Sequence, residues 1–180
     1  VFGGTAVEPF PSTEVGVIES APVIDGRLDE TCWRGQPEIT GFTRVGTNAA
    51  AACQTRVRLA RNNAWLFLAF ECADPRSGEI KSVQAERDGS VHRDESVEIF
   101  VSHGTDDRTY YHFILSAGNV QRDNRAEFGN RNIEWDAHWR SAVMIDTTGS
   151  VWTAELAIPL FLLTEKCGSD AWRFNVCRNK

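Results

Sequence analysis

About nine short stretches of apolar or alternating residues recur along the 180-residue chain, divided by turns rich in Gly, Pro, Asn and Asp. Hardly any stretch carries a helical period. Short strands at regular spacing with little helix predict an all-β fold, an antiparallel β-sandwich of jelly-roll type. Two hairpins are legible. Gln54 to Ala60 alternates polar and apolar residues, Asn62-Asn63 turns the chain, and Trp65 to Cys72 returns it as a strand apolar on both faces. Trp139 to Ile145 and Val151 to Ile158 form the second, around Thr147-Thr148-Gly149. Further strands are expected at Val15 to Ile18, Val97 to Val101, Tyr110 to Ser116, Val120 to Asp123 and Trp172 to Arg178, with a short helical turn at Pro159 to Leu163. Asp25-Gly26 signals a tight turn, and Asp29 is placed to cap a turn that returns Cys32 and Trp33 to the core. Residues 124–137 read as irregular. The last strand ends almost at Lys180, which leaves open whether the sandwich's closing strand lies beyond it.

Residues 1–13 have no period and read as an arm or linker, with one sandwich domain over residues 14–180. A chain of this length holds a substantial core. Its net charge of −6 argues against a nucleic-acid surface. No apolar run approaches the roughly 20 residues that span a bilayer, so membrane insertion is not expected. The start, Val1-Phe2-Gly3-Gly4, lacks the charged and then apolar lead of a signal peptide and reads as a processed or excised end. The five cysteines (Cys32, Cys53, Cys72, Cys167 and Cys177) include no C-x-x-C pair and no zinc spacing; buried thiols and one disulfide both remain open.

The segment Arg93-Asp94-Glu95-Ser96-Val97-Glu98-Ile99-Phe100-Val101 carries the main functional signal. Val97, Ile99 and Val101 point one way, and Glu98 and Phe100 the other. A mid-strand carboxylate lies on a wet face or is held by hydrogen bonds within a site, because burying it unpaired is too costly. A long polar connection, Asp74 to Arg93, delivers the chain to this strand, and loops of that length are commonly functional.

No nucleophile elbow, zincin, P-loop or dinucleotide motif is present. Glu98 with Glu155 as a glycosidase pair, and His92 and His112 as an acid–base set, are outweighed by ordinary sheet-face readings, so no enzyme activity is expected. Six tryptophans are more than a core of this size needs. Trp33, Trp65, Trp152 and Trp172 are assigned to packing, while Trp135 and Trp139 flank a loop and are left for a ligand. Met144, the one methionine, sits between Val143 and Ile145 as a core residue, which disfavours a haem-binding sandwich needing an axial His/Met pair.

Several motifs, in order along the chain, resemble family 9 carbohydrate-binding modules, a DOMON-like β-sandwich family. They are Ala21-Pro22-Val23-Ile24-Asp25-Gly26 with Leu28-Asp29-Glu30 and Trp33, Trp65 to Phe70, Asp94 to Val101, Trp152 to Pro159, and Phe174-Asn175-Val176. The resemblance implies a non-catalytic module with structural calcium. It implies recognition of polysaccharide or oligosaccharide ends between two tryptophans, and a place beside other domains of a secreted or cell-surface protein that acts on polysaccharides. Glu98 matches the family's sugar-bonding glutamate. His92 stands where one clamp tryptophan is expected, Ile114 and Ser116 replace an arginine and an asparagine, Cys177 replaces a glutamine, and the second tryptophan belongs beyond Lys180. The expected sugar site is therefore Glu98, His92, Trp135, Arg178 and Asn179, with the calcium ligands unassigned. The rival expectation is a structural or interaction sandwich that has lost sugar binding.

Overall fold

The computed structural model describes residues 12–103, 108–164 and 171–180. Most of the expected arm, most of the turn at Gly104 to Arg108, and Cys167 lie outside them. Eleven strands are described: β1 (Gly16–Val17), β2 (Glu38–Ile39), β3 (Thr55–Arg61), β4 (Trp65–Ala73), β5 (Ser96–His103), β6 (Tyr110–Ser116), β7 (Gln121–Glu127), β8 (Asn130–Asn132), β9 (Arg140–Asp146), β10 (Val151–Pro159) and β11 (Trp172–Asn179). One short helix, α1 (Leu160–Thr164), follows β10, and 3-10 turns occur at Thr31–Trp33, Ser77–Glu79 and Val91–Arg93.

The strands form two sheets. One has the order β1-β3-β4-β10-β9, with β2 also paired to β3; the other runs β11-β5-β6-β7-β8. All the pairings are antiparallel except β1 on β3, a parallel pair of two residues. Strand alternation fills the space between the sheets. Val57, Leu59, Leu68, Phe70, Trp152 and Leu156 from one sheet meet Val97, Ile99, Val101, Phe113 and Leu115 from the other, all buried. The last strand, β11, pairs with β5 over its whole length and forms an edge of its sheet.

A second, smaller core lies outside the first sheet. Ile18 and Trp33 pack there on Ala60, Phe67, Ala69 and Ala157. Residues 18–33 thus form a third layer over that sheet, and Glu155 lies beneath them with no exposed surface. Its carboxylate accepts the backbone N–H groups of Asp25 and Gly26, each at 3.0 Å, and the Trp33 indole N–H at 2.9 Å. Thr153 Oγ1 donates to the Gly26 carbonyl at 2.6 Å. Gly26 has φ +86°, and a Cβ there would come within 2.8 Å of the Val143 carbonyl carbon, so the turn can press on β9 only with glycine at this position.

Several expectations change. Glu155 is not an open sheet-face residue. Residue 29 does not cap the first turn, whose N-cap is Glu30 without a side-chain bond. Met144 is 36% exposed, because it stands opposite Thr153 on the outer face rather than between the sheets. The segment read as irregular continues β7 to Glu127 and adds β8, a fully exposed Asn-Arg-Asn strand. Among the described cysteines, Cys32, Cys53, Cys72 and Cys177 are free thiols.

Burial raises the Glu155 carboxyl from its ordinary range to about 7, outweighing the three donors it accepts from. The folded state therefore holds this proton more tightly than the unfolded chain. Stability from this group is fully present below pH 4.5 and is lost as pH rises to 7, by about 3 kcal/mol without bound cations. Urea unfolding in a chelator across that range is expected to show the decline, and Glu155→Gln to flatten it.

Candidate functional site

The outer face of the second sheet gathers polar side chains around Glu98. Alternation sends Ser96, Glu98 and Phe100 outward from β5. Register sets Glu98 between Ile114 on β6 and Cys177 on β11. The Glu98 side chain is 15% exposed and both of its oxygens are engaged. Oε2 meets His112 Nε2 at 2.6 Å, and Oε1 accepts from Asn179 Nδ2 at 2.5 Å. Asn179 Nδ2 also donates to Ser96 Oγ at 3.0 Å. Behind His112, Asn124 Nδ2 lies 3.2 Å from Nδ1, and the Phe100 ring stacks on the imidazole at 4.0 Å and 13°.

Burial pushes the Glu98 carboxyl up, but the bonds from His112 and Asn179 and the nearby charge of His112 and His92 prevail and hold it below its usual range. Beside it, burial and the Glu98 charge push the Cys177 thiol up, so it stays protonated. The site at neutral pH is a carboxylate held in place by the donors around it. A groove of about 400 Å³ between residues 39–47 and Phe174–Cys177 meets this face at Cys177.

The long connection before β5 is fastened onto the sheet. Arg87 Nη2 bridges Asp123 Oδ1 at 2.5 Å and Asp136 Oδ1 at 2.7 Å, and Arg87 also bonds Gln121. Asp123 is 1% exposed and further accepts from Ala137 N–H at 2.7 Å and the Trp139 indole at 3.1 Å. Arg122 Nη1 donates to the Gly89 carbonyl at 2.8 Å. These bonds hold the turn that carries exposed His92 beside the Glu98 face.

Of the five residues singled out in the sequence, Glu98, Asn179 and His92 come together and two do not. Trp135 lies on the interior side, its ring 5.2 Å from Tyr111 and 6.1 Å from Phe113. Trp139 is likewise buried against Phe113. Arg178 stands opposite inward-facing Val97, so alternation turns it between the sheets. There it donates to the Ala73 carbonyl at 2.8 Å and to Asp74 Oδ2 at 3.3 Å, and its guanidinium lies 5.6 Å from the centroid of the Trp152 ring. Arg178 and Asn179 are adjacent on one strand and cannot both face the site; that parity was the available signal. His112, whose ordinary sheet-face reading outweighs a catalytic one in the sequence, holds Glu98. Alternation already places Phe100 on the face of Glu98, but Asn124 has no signal in the sequence, because no spacing within one strand shows which residue lies across the sheet.

Two acidic places lie elsewhere. Asp25, Glu30 and Glu155 bring carboxylate oxygens within 4.8 Å of one another, and Glu30 Oε2 is buried without a hydrogen-bond partner. Buried Asp74, with Glu95, meets Lys180 Nζ and Arg178, which supply positive charge there.

The family model described as carbohydrate family 9 binding domain-like matches residues 24–176. The chain is 28% identical over 155 residues to endo-1,4-beta-xylanase A of Thermoanaerobacterium saccharolyticum, covering 84% of this chain but only 12% of that enzyme. Its fold resembles a family 9 carbohydrate-binding module from Caldicellulosiruptor kristjanssonii solved with glucose. The TM-score is 0.65 at 16% identity, over 92% of this chain and 76% of that one. The cellotriose complex gives a TM-score of 0.64 at 15% identity, over 93% and 77%.

Asp123→Ala leaves the Arg87 guanidinium, the Trp139 indole and the Ala137 N–H without their acceptor. Urea unfolding is expected to show a loss of about 2–4 kcal/mol.

Proposed function

Since the chain belongs to the carbohydrate family 9 binding domain-like family and is a non-catalytic carbohydrate-binding module, we propose that it takes the end of a polysaccharide or oligosaccharide at the outer face around Glu98. The observation that carries this reading is the Glu98 carboxylate, fixed by His112 and Asn179 and beside an open groove. A carboxylate so held has spare lone pairs for sugar hydroxyls. The groove supplies room, and His92 supplies a flat exposed ring where a stacking residue is expected. The solved relatives bind glucose and cellotriose, which makes glucose-based chains the first ligands to try. The parent protein, by analogy with the xylanase, acts on polysaccharide outside the cell.

For the structural calcium that the resemblance implies, the residues that fit are Asp25, Glu30 and Glu155. Calcium takes oxygen ligands, often carboxylates. The unpartnered Glu30 Oε2 and the raised Glu155 carboxyl are what a cation would relieve. Asp74 and Glu95 fit less well, because Lys180 and Arg178 already balance them.

Calorimetric titration with mono- and oligosaccharides of glucose, xylose, mannose and galactose is expected to give saturable binding to at least one. Glu98→Ala should weaken it more than tenfold, in keeping with a hydrogen bond to a charged group, in a protein that still folds but with a lower unfolding midpoint, because His112 and Asn179 lose their acceptor. Silence from the folded protein across the panel would sink the reading. Calcium is expected to raise the melting temperature and Glu30→Gln to remove that gain; equal gains in both proteins would place the ion elsewhere.

A further inference from the structure

We infer that His112, backed by Asn124 and Phe100, is a positioning residue that aims Glu98 at hydroxyls of a neutral sugar, an inference that rests on the sugar-binding reading above. The imidazole is fixed on three sides. Its Nε2 meets Glu98 Oε2 at 2.6 Å, its Nδ1 lies 3.2 Å from Asn124 Nδ2, and one face is covered by Phe100 at 4.0 Å. A carboxylate only accepts, so Nε2 carries the proton and donates it. Nδ1 in turn faces the Asn124 side-chain amide, which fixes the plane of the ring. His112 is 8% and Asn124 3% exposed, so these two side chains are out of a ligand's reach and act through Glu98.

With Asn179 on the other oxygen, the carboxylate cannot rotate. Its remaining lone pairs point in set directions, suited to two neighbouring hydroxyl donors. The groups facing Glu98 are His112 from β6, Cys177 and Asn179 from β11, and His92 from the turn before β5. Arg122, on β7 beyond Ile114, is turned to the Gly89 carbonyl. This face therefore offers hydroxyl acceptors at Glu98, where a sugar carboxylate would meet like charge.

The test compares wild type, His112→Gln and His112→Phe by carbon-detected NMR titration of the Glu98 carboxyl, alongside binding of glucose, cellotriose and glucuronate. In His112→Phe the Glu98 midpoint is expected to rise, since burial is no longer opposed by that bond. Its affinity for the neutral sugar should fall about tenfold or more at pH 7, the scale of a lost bond to a charged group, and fall further at pH 5. His112→Gln, whose amide can donate to Glu98, should keep the midpoint and most of the affinity. Glucuronate should bind wild type more weakly than glucose. An unmoved Glu98 midpoint in folded His112→Phe, unchanged sugar affinity there, or glucuronate binding as tightly as glucose would overturn the inference. If wild type binds no sugar while the Glu98 midpoint still rises in His112→Phe, the sugar reading falls and the positioning role of His112 stands.

Discussion

Glu155 accepts three N–H donors from the Asp25-Gly26 turn and Trp33, over a sheet face that would otherwise be bare. That one carboxylate fastens residues 18–33 as an outer layer, and so buries Trp33 and Phe67 on the far side of the sheet from the main core. The arrangement is costly, since a charge is held without water beside Glu30 and Asp25. The cost raises its own carboxyl and creates a place where a cation would be stabilising. Both effects originate in a strand carboxylate flanked in sequence by Ala154 and Leu156.

The same physics recurs twice more. Asp123, buried on β7, collects Arg87, Trp139 and Ala137, and thereby ties two long connections to one strand. Glu98 on β5 collects His112 and Asn179. The three differ in what faces them. Glu155 and Asp123 are closed over by loops, and burial raises both carboxyls. Glu98 keeps some exposure and its donors prevail, holding its carboxyl below the usual range. What covers each of these three carboxylates decides whether burial or its donors prevail.

The polar surroundings of Glu98 differ from those the family resemblance implies. Ile114 and Cys177, which flank it, supply no strong donor, and the positive charge of Arg178 is spent on Asp74 inside the sandwich. His112 and Asn179 supply the hydrogen bonds instead. The result favours an acceptor site over one that offers charge of both signs.

Alternation of side chains determined most of the fold from the sequence, because a period of two both marks a strand and assigns its faces. It located both hairpins, the inner residues Val97, Ile99 and Val101, and the outward Glu98. It failed at β2 and β8, which at two and three residues are too short to carry a period. Parity within β11 already separates Arg178 from Asn179. Tertiary structure alone decided that Trp135 and Trp139 point inward, that residues 18–33 cover Glu155, and that His112 and Asn124 stand in line behind Glu98. Those outcomes depend on strand order and register across the sheet, and a local period in one strand holds no information about the strand beside it.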